Sequence, residues 1–184
     1  MGRPDLQEAL RWAAEKHFGQ WREGEAPLPY LCHPVDVLCT VRTVGGVTDD
    51  AILCAAALHD VVEETDGTSQ EVHAKFGVKV GKLVDELTRY EPGPEETAGM
   101  SKDEVWTLRA RYLLDEIAAM SPEAQIVKLA DRIANLRDAR DTKKGKKLAR
   151  YVVQSRRILE IVPKAVNKPL WEALKSEITK SEAL

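Results

Sequence analysis

Eight residues, Leu58 to Thr65 (LHDVVEET), gather an imidazole, three carboxylates and a hydroxyl in a helical stretch that is otherwise apolar. On a helix of 3.6 residues per turn, positions four apart share a face, so His59 stacks with Glu63 and Asp60 with Glu64. The run ILCAAAL before them and the valines between them mark a core helix. Charged side chains in such a place must be paired, hydrogen-bonded or metal-bound to offset their desolvation. A metal needs further donors from elsewhere in the chain. YLCHPVD supplies His33, directly before a proline that can start a helix, and VKLADRIANLRDA supplies Asp131 inside an apolar helical run. Glu63 and Glu64, one turn beyond the doublet, are placed to orient a water and carry a proton. The plain alternative for both is a solvated helix end.

The elements that must hold these residues are helical nearly throughout. Leu6, Ala9, Leu10, Ala13, Ala14 and His17 repeat at threes and fours after Asp5, a cap residue. EGEAPLPYLCHP breaks the pattern and leads to a helix starting near Pro34. Thr48 is the expected cap of the helix that runs through about Glu64, and Thr68 with Glu71 forms a capping box for a short helix to Phe76. The next helix reaches about Tyr90. YEPGPEETAGMS then reads either as a segment over a site or as a connection with two prolines. A helix over 102–120, one opened by Ser121-Pro122, one through LARYVVQSRRILEIV and a terminal one over 169–182 complete an all-α chain of seven to nine helices. No strand alternation or internal repeat is visible.

At 184 residues, with 43% hydrophobic and 31% charged residues, the chain is expected to form one domain over 1–184. A formal net charge of −3 gives no global attraction to nucleic acid or anionic membrane, so an anionic ligand must be met locally. Cys32, Cys39 and Cys54 form no C-x-x-C pair and leave one over, which indicates neither a disulfide framework nor a thiolate zinc site. Cys54 reads as a small buried hydrophobe. There is no apolar run of membrane-span length and no secretory signal, and Leu6 argues against myristoylation at Gly2, so the expected compartment is the cytoplasm. The basic run KKGKKLARY reads as a solvated helix start. His17 and His73 read as structural or surface residues, and monomer and homodimer both remain open.

His33, the His59-Asp60 doublet and Asp131 resemble the ligand set of the HD-domain metal-dependent phosphohydrolases. More narrowly, KHFGQWR, PYLCHP, AAALHDVVEET, FGVKVGKLVDELT and VKLADRIANLRD stand in the order found in the hydrolase domain of the RelA/SpoT homologues. Together they cover about residues 6–160. The resemblance implies a single HD-domain helical bundle with a metal site in its centre. Two imidazoles and two carboxylates suit one Mn²⁺ per chain, or Fe²⁺ or Mg²⁺, and leave positions open for water and substrate.

The implied reaction is removal of the 3′-pyrophosphate from ppGpp and pppGpp, giving pyrophosphate and GDP or GTP. The partner is then a small nucleotide. By the same resemblance, Asn135 contacts ribose or phosphate and Arg22 of GQWR packs against the base. Lys147 with Tyr151 fits a basic residue four before a substrate-contacting tyrosine, and Lys102 is a candidate for the outer phosphates. Two departures bear on specificity. Glu64 stands where the family pattern has Asp, and Glu23 with the longer EGEAPLPY loop alters the frame around the base. An adenosine analogue such as ppApp, or NADPH through its 2′-phosphate, therefore enters as an alternative substrate. A general HD nucleotide phosphatase and a non-catalytic nucleotide sensor are the alternative functions.

Overall fold

Apolar residues at helical spacing assemble ten α-helices among residues 4–24 and 27–183, the part of the chain that the computed structural model describes. Gly2, and Glu25 and Ala26 of the EGEAPLPY loop, lie outside the described residues. In chain order the helices are α1 (Leu6–Lys16), α2 (Cys32–Thr43), α3 (Asp50–Leu58), α4 (Val61–Glu64), α5 (Ser69–Phe76), α6 (Val78–Leu87), α7 (Lys102–Ala119), α8 (Pro122–Thr142), α9 (Lys146–Ile161) and α10 (Lys168–Glu182). Among the described residues, extended pairing is limited to one isolated bridge between Trp21 and Pro29.

The centre is α3, in which every residue from Ala51 to Leu58 is buried. Helices α1, α2, α6 and α8 pack around it, which is why its sequence is apolar on all sides. Full burial of Ile52, Leu53 and Leu58 contributes about 1.5–3 kcal/mol each. Helix α8 is the second spine, lying against α2, α3, α6, α9 and α10. Its buried face carries Val127, Leu129, Ile133 and Leu136, and the charged Asp131 and Arg132 among them.

Two boundaries differ from the sequence expectation for a physical reason. Asp49, not Thr48, caps α3: its Oδ1 accepts from the backbone N–H of Ala51 at 2.9 Å and Ile52 at 3.2 Å. A carboxylate is the stronger partner for a helix N-terminus than a hydroxyl, and Lys79 holds its other oxygen at 2.7 Å. The helix expected through Glu64 also breaks at His59 and Asp60, so that α3 and α4 are separate. This break adds the tenth helix. The capping box of Thr68 and Glu71 is present as expected, and a second one, Ser101 with Glu104, starts α7.

Helix α10 is pinned to α8 by an almost buried carboxylate, Glu177, which takes hydrogen bonds from Arg140 and from Lys180. Burial would raise this carboxyl, but those two cations outweigh it and hold it below its ordinary value. Glu177→Gln is expected to cost roughly 2 kcal/mol at pH 7, read as a lower denaturant midpoint. Because the folded value is depressed, this stabilisation is present above the unfolded value of about 4.3 and is lost as pH falls through the folded value. Wild type and variant should therefore converge in acid.

Candidate active site

Four helices, α3 and α4 meeting at the break, bring four ligand-type side chains to a point. His33 lies in the first turn of α2, His59 caps the end of α3, Asp60 caps the start of α4, and Asp131 is in the middle of α8. Ligand atoms of His33, His59 and Asp60 all lie within 4.8 Å of one another. Asp131 Oδ1 is 3.3 Å from His33 Nε2 and 3.9 Å from His59 Nε2. Neighbours on a regular helix point about 100° apart, yet His59 Nε2 and Asp60 Oδ1 approach to 3.1 Å. The helix break between α3 and α4 accompanies this convergence.

The donor set fits a cation. His59 Nδ1 stands 2.9 Å from the Ala56 carbonyl, which can only accept, so the proton is on Nδ1 and Nε2 keeps its lone pair. Burial pushes the imidazolium value of His59 down and keeps the ring neutral, the form that ligates metals. Its Nε2 is buried and has no hydrogen-bond partner. A lone pair held 3.1 Å from a carboxylate oxygen is repulsive unless a positive charge sits between them. With Asp60 Oδ2 also 3.5 Å from His33 Nε2, the cluster is a site for a divalent metal.

A supporting shell orients these ligands. The Tyr30 hydroxyl donates to Asp60 Oδ2 at 2.8 Å, and its ring stacks on His17 at 4.7 Å. His17 in turn meets Gln20 Oε1 at 2.7 Å, while Gln20 Nε2 donates to the Glu64 carbonyl. Asp131 accepts from Lys128 Nζ at 3.0 Å and from Asn135 Nδ2. Burial would raise the Asp131 carboxyl, but the Lys128 charge outweighs it and holds Asp131 well below the ordinary carboxylate range. The carboxylate stays ionised. Tyr30→Phe, which removes only the hydroxyl, is expected to weaken metal binding about tenfold, read by titration of the metal-free protein with Mn²⁺.

Above the cluster opens a cleft of about 540 Å³. Asp60, Glu63, Glu64 and Asp131 line it, as do Arg132 of α8, Lys143 just past its end, and Arg150 and Tyr151 of α9. Glu63 is partly buried, and burial pushes its carboxyl up from its ordinary value against the charge of Arg89; Glu64 is exposed. Arg22 reaches across to α8, with Nη2 3.0 Å from Asp138 Oδ2 and 3.5 Å from Asn135 Oδ1, and its guanidinium lies 5.5 Å from the Tyr30 ring. Arg132 is buried, donates to Ser155 and Gln154, and lies over the Tyr151 ring; burial lowers its value to about 10.

The structure thus brings His33, Asp60, Asp131, Glu63, Glu64, Arg22, Asn135 and Tyr151 to one cleft, with His59 buried behind Asp60 and Asp131, and leaves out Lys102 and Lys147. Both lysines are exposed. Lys102 is four residues before Trp106, and Lys147 four before Tyr151, so each lies one turn past the end of the lining. Their neighbour Asp103 pairs with Lys146 and Arg150 and ties the two helix starts together. The cations that do line the cleft are Arg22, Arg89, Arg109, Lys128, Arg132, Lys143 and Arg150. Lys128 and Asp138 carried a readable signal, because three before and seven after Asp131 is the same helix face. His17 and Tyr30 lie within the KHFGQWR and PYLCHP segments, but nothing local announced their contact with each other, which depends on how a loop folds back.

The family model described as HD domain matches residues 9–155. The chain belongs to the HD-domain family. Among its relatives, it is 39% identical over 133 residues to the Homo sapiens guanosine-3′,5′-bis(diphosphate) 3′-pyrophosphohydrolase MESH1, a stretch covering 72% of this chain and 68% of the human one. It is 34% identical over 153 residues to the GTP pyrophosphokinase rsh of Brucella ovis, covering 79% of this chain and 19% of that protein. A solved HD-domain structure, a metazoan ortholog of SpoT described as hydrolysing ppGpp and playing a role in starvation responses, matches with a TM-score of 0.82 at 30% identity. The match covers 97% of this chain and 96% of that one. Among the described residues of this HD protein, no helix is long and apolar enough to cross a membrane.

Proposed function

We propose that this chain is a metal-dependent 3′-pyrophosphohydrolase of guanosine alarmones, converting ppGpp to GDP and pyrophosphate and pppGpp to GTP and pyrophosphate. The observation that carries the reading is the orphaned, buried His59 Nε2 facing Asp60, His33 and Asp131, the last three of which line a cleft that also carries seven cationic side chains. Support comes also from the activity for which the MESH1 relatives are named, 39% identical in the human case.

His33, His59, Asp60 and Asp131 would hold one divalent cation, with Mn²⁺ suited to two imidazoles and two carboxylates. When bound, it supplies Lewis-acid activation of water near neutral pH and neutralises phosphate charge. Glu63 takes a proton from the attacking water and returns it to the ribose 3′ oxygen as that oxygen leaves the 3′-linked phosphorus. Glu64, exposed at the mouth, helps to orient the water. Asn135, on the same face of α8 as Asp131, meets the ribose or the phosphate nearest the metal. Arg132, Lys143, Arg150 and Tyr151 receive the phosphates at the other end of the nucleotide. The loop with Trp21, Arg22 and Glu23 frames the base.

The test is product identity. The metal-loaded protein is incubated separately with ppGpp, ppApp and NADPH, and the products are resolved by anion exchange. The proposal expects pyrophosphate and GDP from ppGpp; the ratio of GDP to ADP release ranks the bases. Orthophosphate as the product, or turnover confined to NADPH, would instead identify a general HD nucleotide phosphatase.

A further inference from the structure

Four charged side chains form a continuous line along one edge of the cleft, and the reaction as described uses only the first of them. Glu63 of α4 has both carboxylate oxygens engaged by one residue: Arg89 Nη2 is 2.8 Å from Oε1, and the Arg89 backbone N–H donates to Oε2 at 3.3 Å. The same Nη2 lies 2.9 Å from Glu91 Oε1, and Glu91 Oε2 meets Arg109 Nε of α7 at 2.8 Å. All four residues line the cleft.

A carboxylate held through both oxygens has one orientation. Arg89 is suited to impose it, because it follows the end of α6 and its main chain and side chain approach Glu63 from one direction. Its Nη2 bridges Glu63 and Glu91, while its buried Nε has no hydrogen-bond partner, so the two carboxylates are what hold the guanidinium. A flexible arginine without a second anchor would place Glu63 poorly. Glu91, tied back to Arg109, is that anchor. A planar fork can span two carboxylates in a fixed geometry, which a lysine ammonium does not reproduce.

We infer that Arg89 is a positioning residue for the proton-carrying carboxylate of Glu63, and that Glu91 and Arg109 transmit the placement of α7 to it. The inference rests on the role proposed above for Glu63. It also links the segment after Tyr90 to the chemistry: its first residue, Glu91, is part of the site edge, while Glu96 further along accepts from Tyr90 and is tied to α7 by a hydrogen bond from Tyr112.

The experiment compares wild type, Arg89→Ala and Arg89→Lys in metal-loaded form. Steady-state hydrolysis of ppGpp is followed alongside the ¹³C carboxyl titration of Glu63, its resonance identified by loss in Glu63→Gln. A positioning role predicts kcat about tenfold lower in Arg89→Ala with KM within about twofold, and partial recovery of kcat in Arg89→Lys. It also predicts that Glu63 titrates at higher pH in Arg89→Ala. Of the charges acting on it, Asp60 favours the same direction and Lys128 of α8 opposes it. Unchanged kcat with an unchanged Glu63 titration would overturn the inference, as would a rise in KM at constant kcat, which marks a substrate-binding arginine. If wild type fails to hydrolyse ppGpp, the proposed function falls, and the titration still decides whether Arg89 holds Glu63.

Discussion

Asp131→Asn is expected to abolish hydrolysis, lowering the rate by more than about a thousandfold, and to reduce bound metal from one per chain to a small fraction. The asparagine keeps the shape of the side chain and a carbonyl oxygen, so packing in α8 is preserved. It removes a full negative charge from a site in which only Asp60 would remain to balance a divalent cation. Asp131 is held ionised by Lys128, even though burial opposes it. With the charge gone, the Lys128 ammonium, 3.0 Å away, repels a cation that it formerly faced across a carboxylate. Affinity and activity should therefore fall together, because ligand charge and count govern retention of the metal. Metal analysis after desalting, with a thermal melt to establish folding, separates this outcome from misfolding. Retention of stoichiometric metal by Asp131→Asn would remove Asp131 from the ligand set.

Glu63→Gln should have the second largest effect and a different signature. The amide can still be reached by the Arg89 backbone N–H, and the metal ligands are untouched, so metal content should stay at one per chain. What is lost is the proton carried to the 3′ oxygen, worth about 10²–10⁴ in kcat with little change in KM. The pH profile gives the sign. Burial raises the Glu63 carboxyl, so more of it is protonated as pH approaches neutrality than for an exposed glutamate. Glu63 must be ionised to take the proton from water, so kcat should rise with pH through its raised value, an acidic limb present in wild type and absent in Glu63→Gln. A wild-type kcat in that variant would leave Glu64 or solvent as the proton carrier.

Much of this site was legible in the sequence because helical spacing ties residues to faces. Asp131 and Asn135 lie four apart on α8 and do meet, and the apolar run before His59 did mark the buried core helix. The break at His59 and Asp60 was not legible: no glycine or proline announces it, and both residues keep right-handed helical dihedrals. Spacing also fixes a face but not a position along it. Lys102 and Lys147 share the helix faces of Trp106 and Tyr151, yet lie one turn before the residues of α7 and α9 that line the cleft. Contacts made by loops were the least readable. Tyr30 reaches Asp60, and Arg89 reaches Glu63, only after the chain has folded back on itself, and local pattern carries no information about either approach.

The most direct test of a metal-assisted attack on the 3′-linked phosphorus is hydrolysis of ppGpp by the Mn²⁺-loaded protein in H₂¹⁸O, with EDTA-treated protein in parallel and mass analysis of both products. The geometry predicts one solvent ¹⁸O in the released pyrophosphate, none in GDP, and no turnover after chelation. Label in the nucleoside diphosphate, orthophosphate as the released product, or undiminished turnover in the metal-free protein would contradict it.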